Sequence, residues 1–134
     1  VTLSVALCTR NAAAFLGPQL DSILTQSRLP DELVVGDEAS SDASHEMLQD
    51  FARRAPFPVR IIRNPQPLGV AANFTQVVGA CTGDVVAMCD HDDVWFPERL
   101  ATAVAVLEDP GVSAAFSDAV LIDAAGAPLP GRLW

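Results

Sequence analysis

The feature that most constrains this chain is a repeated couplet, a short apolar run followed by a stretch with apolar residues at helical spacing. Val1 to Cys8 is apolar and β-rich, and Ala12 to Gln26 follows with Phe15, Leu16, Leu20, Ile23 and Leu24 on one helical stripe. Leu33 to Gly36 repeats the strand signal. Ser40, Ser41, Asp42 and Ser44 then offer N-cap oxygens to a helix carrying Met47, Leu48, Phe51 and Ala52. Pro58 to Arg63 is a third strand, and after the Pro65 to Gly69 turn a helix presents Val70, Phe74, Val77, Val78 and Cys81, closed by Gly83 near a C-cap position.

Asp84 to Cys89 predicts a fourth strand, Pro97 opens a helix to about Glu108, and Val112 to Phe116 predicts a fifth strand. Ala119 to Ile122 is a hairpin arm before the Asp123 to Gly126 turn, and Gly126 to Gly131 reads as a linker or an interrupted domain. Strand and helix alternate at roughly 25-residue intervals and the strands are nearly all apolar. Such a pattern demands a parallel sheet buried on both faces, its crossovers right-handed. The expected fold is therefore α/β, an open, mostly parallel, Rossmann-like sheet with helices on both faces, incomplete at the C-terminus. With 134 residues, half of them hydrophobic, one domain over 1–134 is expected. Starting at Val1 and stopping at Trp134, the chain reads as an excised piece of a longer one.

Charge narrows the chemistry. All eight basic residues are arginine. Without lysine, a Walker phosphate loop, Schiff-base catalysis, and the phospho-aspartate chemistry of receivers and dehalogenase-type phosphatases are excluded. A net charge of −9 repels nucleic acid and anionic lipid, so no nucleic-acid partner is expected. A phosphate-bearing ligand fits only with a divalent cation between it and the carboxylates. Cys8, Cys81 and Cys89 lie in apolar surroundings without metal-ligand spacing, which suggests buried thiols in a reducing, cytoplasmic setting. No run of the roughly 18 apolar residues needed to cross a membrane is present.

Open parallel sheets bind ligands at the carboxyl ends of their strands. There the sequence places Thr9, Arg10 and Asn11; Asp37 and Glu38; Asn64; and Asp90, His91, Asp92 and Asp93, all expected to face one crevice. In an extended segment Asp90 and Asp92 share one side, and two carboxylates suit an octahedral Mg²⁺ or Mn²⁺ completed by diphosphate and water. An acidic turn capping the next helix would leave the same pattern. Trp95 is either a stacking platform for a sugar or a cover for the following helix, and Arg10 either a ligand contact or a surface arginine. Asp37 and Glu38 either hold a nucleoside or favour the N-terminus of the next helix.

These residues resemble the family 2 glycosyltransferases of GT-A fold over nearly the whole chain. The likeness is carried by Thr9-Arg10-Asn11, Phe15-Leu16, Gln19 to Leu24 with Gln26, Pro30 to Val35, and Asp37-Glu38-Ala39-Ser40-Ser41-Asp42. Asn64, Leu68-Gly69-Val70-Ala71-Ala72-Asn73-Phe74, Thr82-Gly83-Asp84 and Asp90 to Trp95 resemble its rhamnosyltransferase-like branch. The resemblance implies inverting sugar transfer from a nucleoside diphosphate, UDP or dTDP, to a carbohydrate or lipid-linked acceptor, aided by Mg²⁺ or Mn²⁺, in polysaccharide or glycolipid synthesis. It implies nucleotide-sugar contacts from Thr9, Arg10, Asn11, Asp37, Glu38, Asn64, Gly69, Asn73, Asp90 and His91, and metal ligation by Asp92 with Asp90. The family's general base is expected beyond Trp134, and membrane association of a longer chain is compatible with this reading. Two rivals are a non-catalytic binding module and a nucleotidylyltransferase-like enzyme, the latter lacking its Gly-rich first loop and Pro-Lys pair here.

Overall fold

A computed structural model describes all residues 1–134. The chain forms two compact units, Val1–Ala101 and Thr102–Trp134. The first runs β1 (Leu3–Thr9), α1 (Ala13–Leu24), β2 (Glu32–Glu38), α2 (Ser44–Arg54), β3 (Val59–Asn64), α3 (Val70–Ala80) and β4 (Val85–Asp90), and it ends as α4 (Arg99–Leu107) begins. The four strands make one parallel sheet in the order β3-β2-β1-β4.

β1 lies at the centre, and all seven of its residues are buried. Pairing registers Thr9 with Asp37 and Asp37 with Arg63 on one side, and Cys8 with both Gly36 and Asp90 on the other. Because side chains alternate along a strand, Leu3, Val5, Leu7, Leu33 and Val35 form one buried face. The buried Leu16, Leu20 and Ile23 of α1 and Leu48 and Phe51 of α2 supply the apolar surface of the helices on that side. On the opposite face Ala6, Cys8 and Val34 pack with Val77 of α3, joined by Phe74, Ala80 and Cys81. Val70 and Val78, expected on that stripe, are exposed, as is Phe15 of α1. Asn73 takes the inward position instead.

Two glycines are required by close approach. A Cβ on Gly36 would lie 2.1 Å from Asn73 Oδ1, and one on Gly83 would lie 2.7 Å from the Ser4 backbone nitrogen. Gly83 is thus needed for contact with β1 and does not cap α3, whose C-cap is the extended Cys81. Pro97 also falls outside its expected helix, in a turn two residues before Arg99.

The amino ends of the strands are joined by carboxylates. Asp31 accepts the Leu3 amide (2.7 Å), and Asp84 accepts the Thr2 amide (2.8 Å). Glu32 Oε1 accepts from Ser4 Oγ (2.6 Å), the Thr82 amide (2.6 Å) and Thr82 Oγ1 (2.9 Å). Several acids behind the net negative charge are therefore structural.

In the second unit, Val120–Ile122 (β5) pairs antiparallel with Pro128–Arg132 (β6). The hairpin arm is as expected, but the Gly126 to Gly131 stretch overlaps its second strand and is no linker. Asp123 shapes the turn by accepting the Ala125 and Ala127 amides, both at 2.9 Å. Val112 to Phe116 forms no strand. Its mainly apolar content resembles a sheet member, but a strand exists only where a partner supplies backbone hydrogen bonds.

Burial raises the pKa of Glu32, but the bonds from Ser4 and Thr82, with Arg60 nearby, outweigh it and hold the carboxyl below its usual value. A depressed carboxylate stabilises the fold above its unfolded pKa and loses that contribution as pH falls through the folded one. Glu32→Ala is expected to cost roughly 1–3 kcal/mol near neutrality, the range for hydrogen bonds to a charged group. Urea unfolding at pH 7 and pH 3 checks this, and the gap between variant and parent should narrow at the lower pH.

Candidate functional site

The loops at the carboxyl ends of β1 and β2 are bonded to one another. Asn11 turns the chain with φ +47° and Ala39 with φ +50°, a region costly for residues with a Cβ. The Asn11 amide donates to Ser40 Oγ (3.0 Å), and its Oδ1 accepts from the Ser41 amide (2.8 Å). The Ala12 amide donates to Ser44 Oγ (2.8 Å) and the Ala13 amide to Asp42 Oδ2 (3.0 Å). Ser44 and Asp42 therefore satisfy the open amides of α1, a helix distant from them in sequence. The N-cap residue of α2 is Ala43, which makes no side-chain bond, and the expected capping oxygen comes from Asp42, whose Oδ1 accepts the Ser44 amide (2.9 Å). Bonds from Ser44 and from the Ala13 amide keep the Asp42 carboxyl below its usual range, with negative charge at the positive end of α1.

Asp37 is fully buried. Ser40 Oγ donates to its Oδ1 at 2.5 Å. Its Oδ2 lies 3.2 Å from His45 Nδ1 and 3.8 Å from Arg63 Nε, yet neither Oδ2 nor the imidazole nitrogen has a partner in hydrogen-bonding geometry. Thr9 Oγ1, in register beside Asp37, is likewise buried and unpartnered. Buried polar groups are nearly always satisfied, so unpaired atoms grouped at strand ends mark a place where a ligand can complete them. An open depression of about 460 Å³ adjoins, lined by Ala39, Arg63, Asn64 and Pro65.

On the other face, Glu38 Oε1 accepts the Leu68 amide (2.8 Å) and anchors the loop before Gly69, the N-cap of α3 at φ +92°. Asn73 Nδ2 donates to the Gly36 carbonyl (3.0 Å), and Asn64 Nδ2 reaches Asn73 Oδ1 at 3.5 Å. Asn64, Asn73 and Glu38 thus brace the crest from beneath. The crevice expected to gather every strand-end residue is divided by strand alternation. Thr9, Asp37 and Arg63 occupy one face, and Glu38, Asn64 and Asp90 the other. Arg10 and Asn11 stay exposed on the β1–α1 loop.

Beyond Asp90 the chain turns at His91 and Asp92, so strand alternation does not extend to Asp92. The aspartates nonetheless act on one another. Partial burial, then Asp90 and Asp92, push the Asp93 carboxyl up, and crowded negative charge of this kind favours a cation. No three His, Cys, Asp or Glu side chains are grouped to form a metal cage. Two carboxylates beside a diphosphate are what Mg²⁺ or Mn²⁺ ordinarily use. Cys8 lies near this charge; burial, then Glu38 and Asp90, raise its thiol to about 12, so it is no nucleophile.

A buried polar stripe on α1 and its C-terminal extension holds the acidic turn. Gln19 Nε2 donates to the Asp90 carbonyl (3.2 Å), and Ser22 Oγ accepts the Trp95 amide (3.1 Å). Gln26 donates to the Phe96 carbonyl (2.8 Å) and accepts the Leu100 amide (3.0 Å). Trp95 is buried, with Arg99 4.8 Å over its ring, and so covers the start of α4 and offers no open stacking surface. Sequence reasoning missed His45, Arg63 and the function of this stripe. The i, i+3, i+7 spacing of Gln19, Ser22 and Gln26, residues that also belong to the family-like block, is the signal that could have found it.

A four-stranded parallel sheet flanked by helices, with polar residues and an acidic turn along its carboxyl crest, is an α/β fold of the GT-A type. Residues 4–130 match the glycosyl transferase family 2 domain, and the chain belongs to that family. It is 31% identical over 121 residues to the uncharacterized glycosyltransferase alr2836 of Nostoc sp., covering 90% of this chain and 37% of that protein. Abequosyltransferase RfbV of Salmonella typhimurium is 31% identical over 101 residues, covering 74% of this chain and 30% of the enzyme. The mannosyltransferase PcManGT of Pyrobaculum calidifontis, solved with GDP-Man and Mn²⁺, superposes with a TM-score of 0.76 at 30% identity, over 82% of this chain and 33% of that one. The chain thus spans about a third of these relatives. No helix is long and apolar enough to cross a membrane.

Gln26→Leu keeps the bulk of a nearly buried side chain and leaves the Phe96 carbonyl and the Leu100 amide without their partner. A loss of roughly 1–3 kcal/mol in urea unfolding is expected from the two orphaned groups.

Proposed function

We propose that this chain is the nucleotide-sugar-binding part of an inverting, metal-assisted glycosyltransferase whose donor is a UDP- or dTDP-linked sugar. The observation that carries the reading is the pair of buried, unpartnered atoms Thr9 Oγ1 and Asp37 Oδ2, registered side by side beside the Arg63 depression. Asp37 Oδ2 can accept an N–H from a base or an O–H from a ribose, and Thr9 Oγ1 can donate or accept. Arg63 adds donors at the depression wall. Membership of the family supports sugar transfer as the reaction class.

The acidic turn lies two strands away from Asp37, about 10 Å at ordinary strand spacing, comparable with the span from a nucleoside to its diphosphate. Asp92, with Asp90, would hold Mg²⁺ or Mn²⁺ together with the diphosphate, and the bound cation supplies charge neutralisation to the leaving group. Gln19 fixes the backbone from which this turn departs. Glu38, Asn64 and Asn73 act mainly as braces, Gly69 opens α3, and Arg10 and His91 flank the ligand. In the transfer, the acceptor hydroxyl oxygen bonds to the anomeric carbon as that carbon's bond to the diphosphate breaks, which inverts its configuration. The hydroxyl proton goes to a carboxylate base, expected after Trp134. A carbohydrate or lipid-linked acceptor, polysaccharide or glycolipid synthesis, and the rhamnosyltransferase-like branch belong to the same proposal. The blocks Leu68 to Phe74 and Asp90 to Trp95 support that branch.

Calorimetric titration with UDP, dTDP and GDP, each with and without Mn²⁺, tests the reading. Binding of UDP or dTDP should require Mn²⁺, exceed that of GDP, and weaken at least about tenfold in Asp92→Ala, the range for loss of a charged contact. Binding indifferent to both the cation and the substitution, in folded protein, would overturn it.

A further inference from the structure

We propose that His45 of α2 is a positioning residue that holds the Asp37 carboxylate in its ligand-ready orientation. This rests on the reading of Asp37 as a nucleoside-holding group. Asp37 is fully buried, and a buried carboxylate is tolerated only when its charge is balanced and its oxygens are held. Ser40 holds Oδ1. Oδ2 has no hydrogen bond, and the nearest groups able to hold it are His45 Nδ1 at 3.2 Å and Arg63 Nε at 3.8 Å.

These two neighbours differ in kind. The Arg63 side chain is about half exposed and lines the open depression, so a ligand entering there can draw it away from Asp37. The His45 side chain is only 21% exposed and projects from the first turn of α2. That turn is fixed by neighbouring bonds, since Ser44 Oγ accepts the Ala12 amide and the Ser44 amide donates to Asp42 Oδ1 (2.9 Å). His45 can therefore keep its place while Arg63 moves. A small rotation brings Nδ1–H onto one lone pair of Oδ2 and leaves the other for the ligand. The charged groups about His45 are Asp37 from β2, Arg63 from β3, and Asp42 and Glu46 along its own segment.

The pair His45→Asn and His45→Leu tests this. Asparagine keeps an N–H donor near the place of Nδ1; leucine keeps comparable bulk and removes it. With UDP and Mn²⁺, His45→Leu should weaken binding about tenfold and His45→Asn less than about threefold, with both variants unfolding in urea near the parent midpoint. Equal affinity of His45→Leu and parent, or equal loss in both variants, overturns the proposal while leaving Asp37 as a ligand contact. A second readout needs no ligand. The imidazole nitrogen chemical shifts of His45, read by NMR at one fixed pH, should differ between Asp37→Asn and the parent, because Nδ1 lies 3.2 Å from the carboxylate that the substitution removes. Unchanged His45 resonances overturn the proposal whether or not nucleotide binds, and changed resonances without nucleotide binding overturn only the functional reading.

Discussion

The first unit is organised around β1, which lies between β2 and β4. A strand buried on both faces and paired on both edges leaves its backbone no access to water, so each amide and carbonyl must be met by a neighbouring strand. β2 and β4 meet them. The remaining design follows from this constraint: α1 and α2 cover one side, α3 the other, and close approaches at Gly36 and Gly83 let the packing come within reach of the backbone. The strand ends then carry polar residues at fixed lateral spacing, which is how chemistry distant in sequence is brought into line.

The two ends of the sheet use the same residue types for different purposes. At the amino ends, Asp31, Glu32 and Asp84 each accept two or more hydrogen bonds, which outweigh burial so that each carboxyl titrates below its ordinary value. At the carboxyl crest, Asp37 Oδ2 lacks a hydrogen bond and Asp93 is pushed upward by burial and by its acidic neighbours. Saturated carboxylates stabilise a fold. Unsaturated and mutually repelling ones hold free energy that a ligand or cation can recover, and for this reason the crest is the end we propose as the binding site.

Three segments misled a reading of pattern alone. Val112 to Phe116 has the composition of a strand but finds no partner, and Gly126 to Gly131 has the composition of a linker but contains most of a hairpin strand. Val70 and Val78 fit a helical stripe yet face outward, because the buried side of α3 is set by the contact of Asn73 and Val77 with Gly36. In each case the outcome was decided by which segment, if any, supplied a partner, and composition contains no term for it.

The sequence by itself determined the alternation of four strands and their helices, the order of elements, the family, and which segments end at the crest, because periodicity and motif spacing are local properties. It also located the acidic turn and the Asp37 segment. Only the tertiary structure decided which of those residues lie on which face, that Ser44 and Asp42 serve α1, that Gln19, Ser22 and Gln26 hold the turn, and that His45 and Arg63 face Asp37. These are contacts between residues separated by many positions along the chain, and they exist only after the sheet register has brought the strand ends side by side.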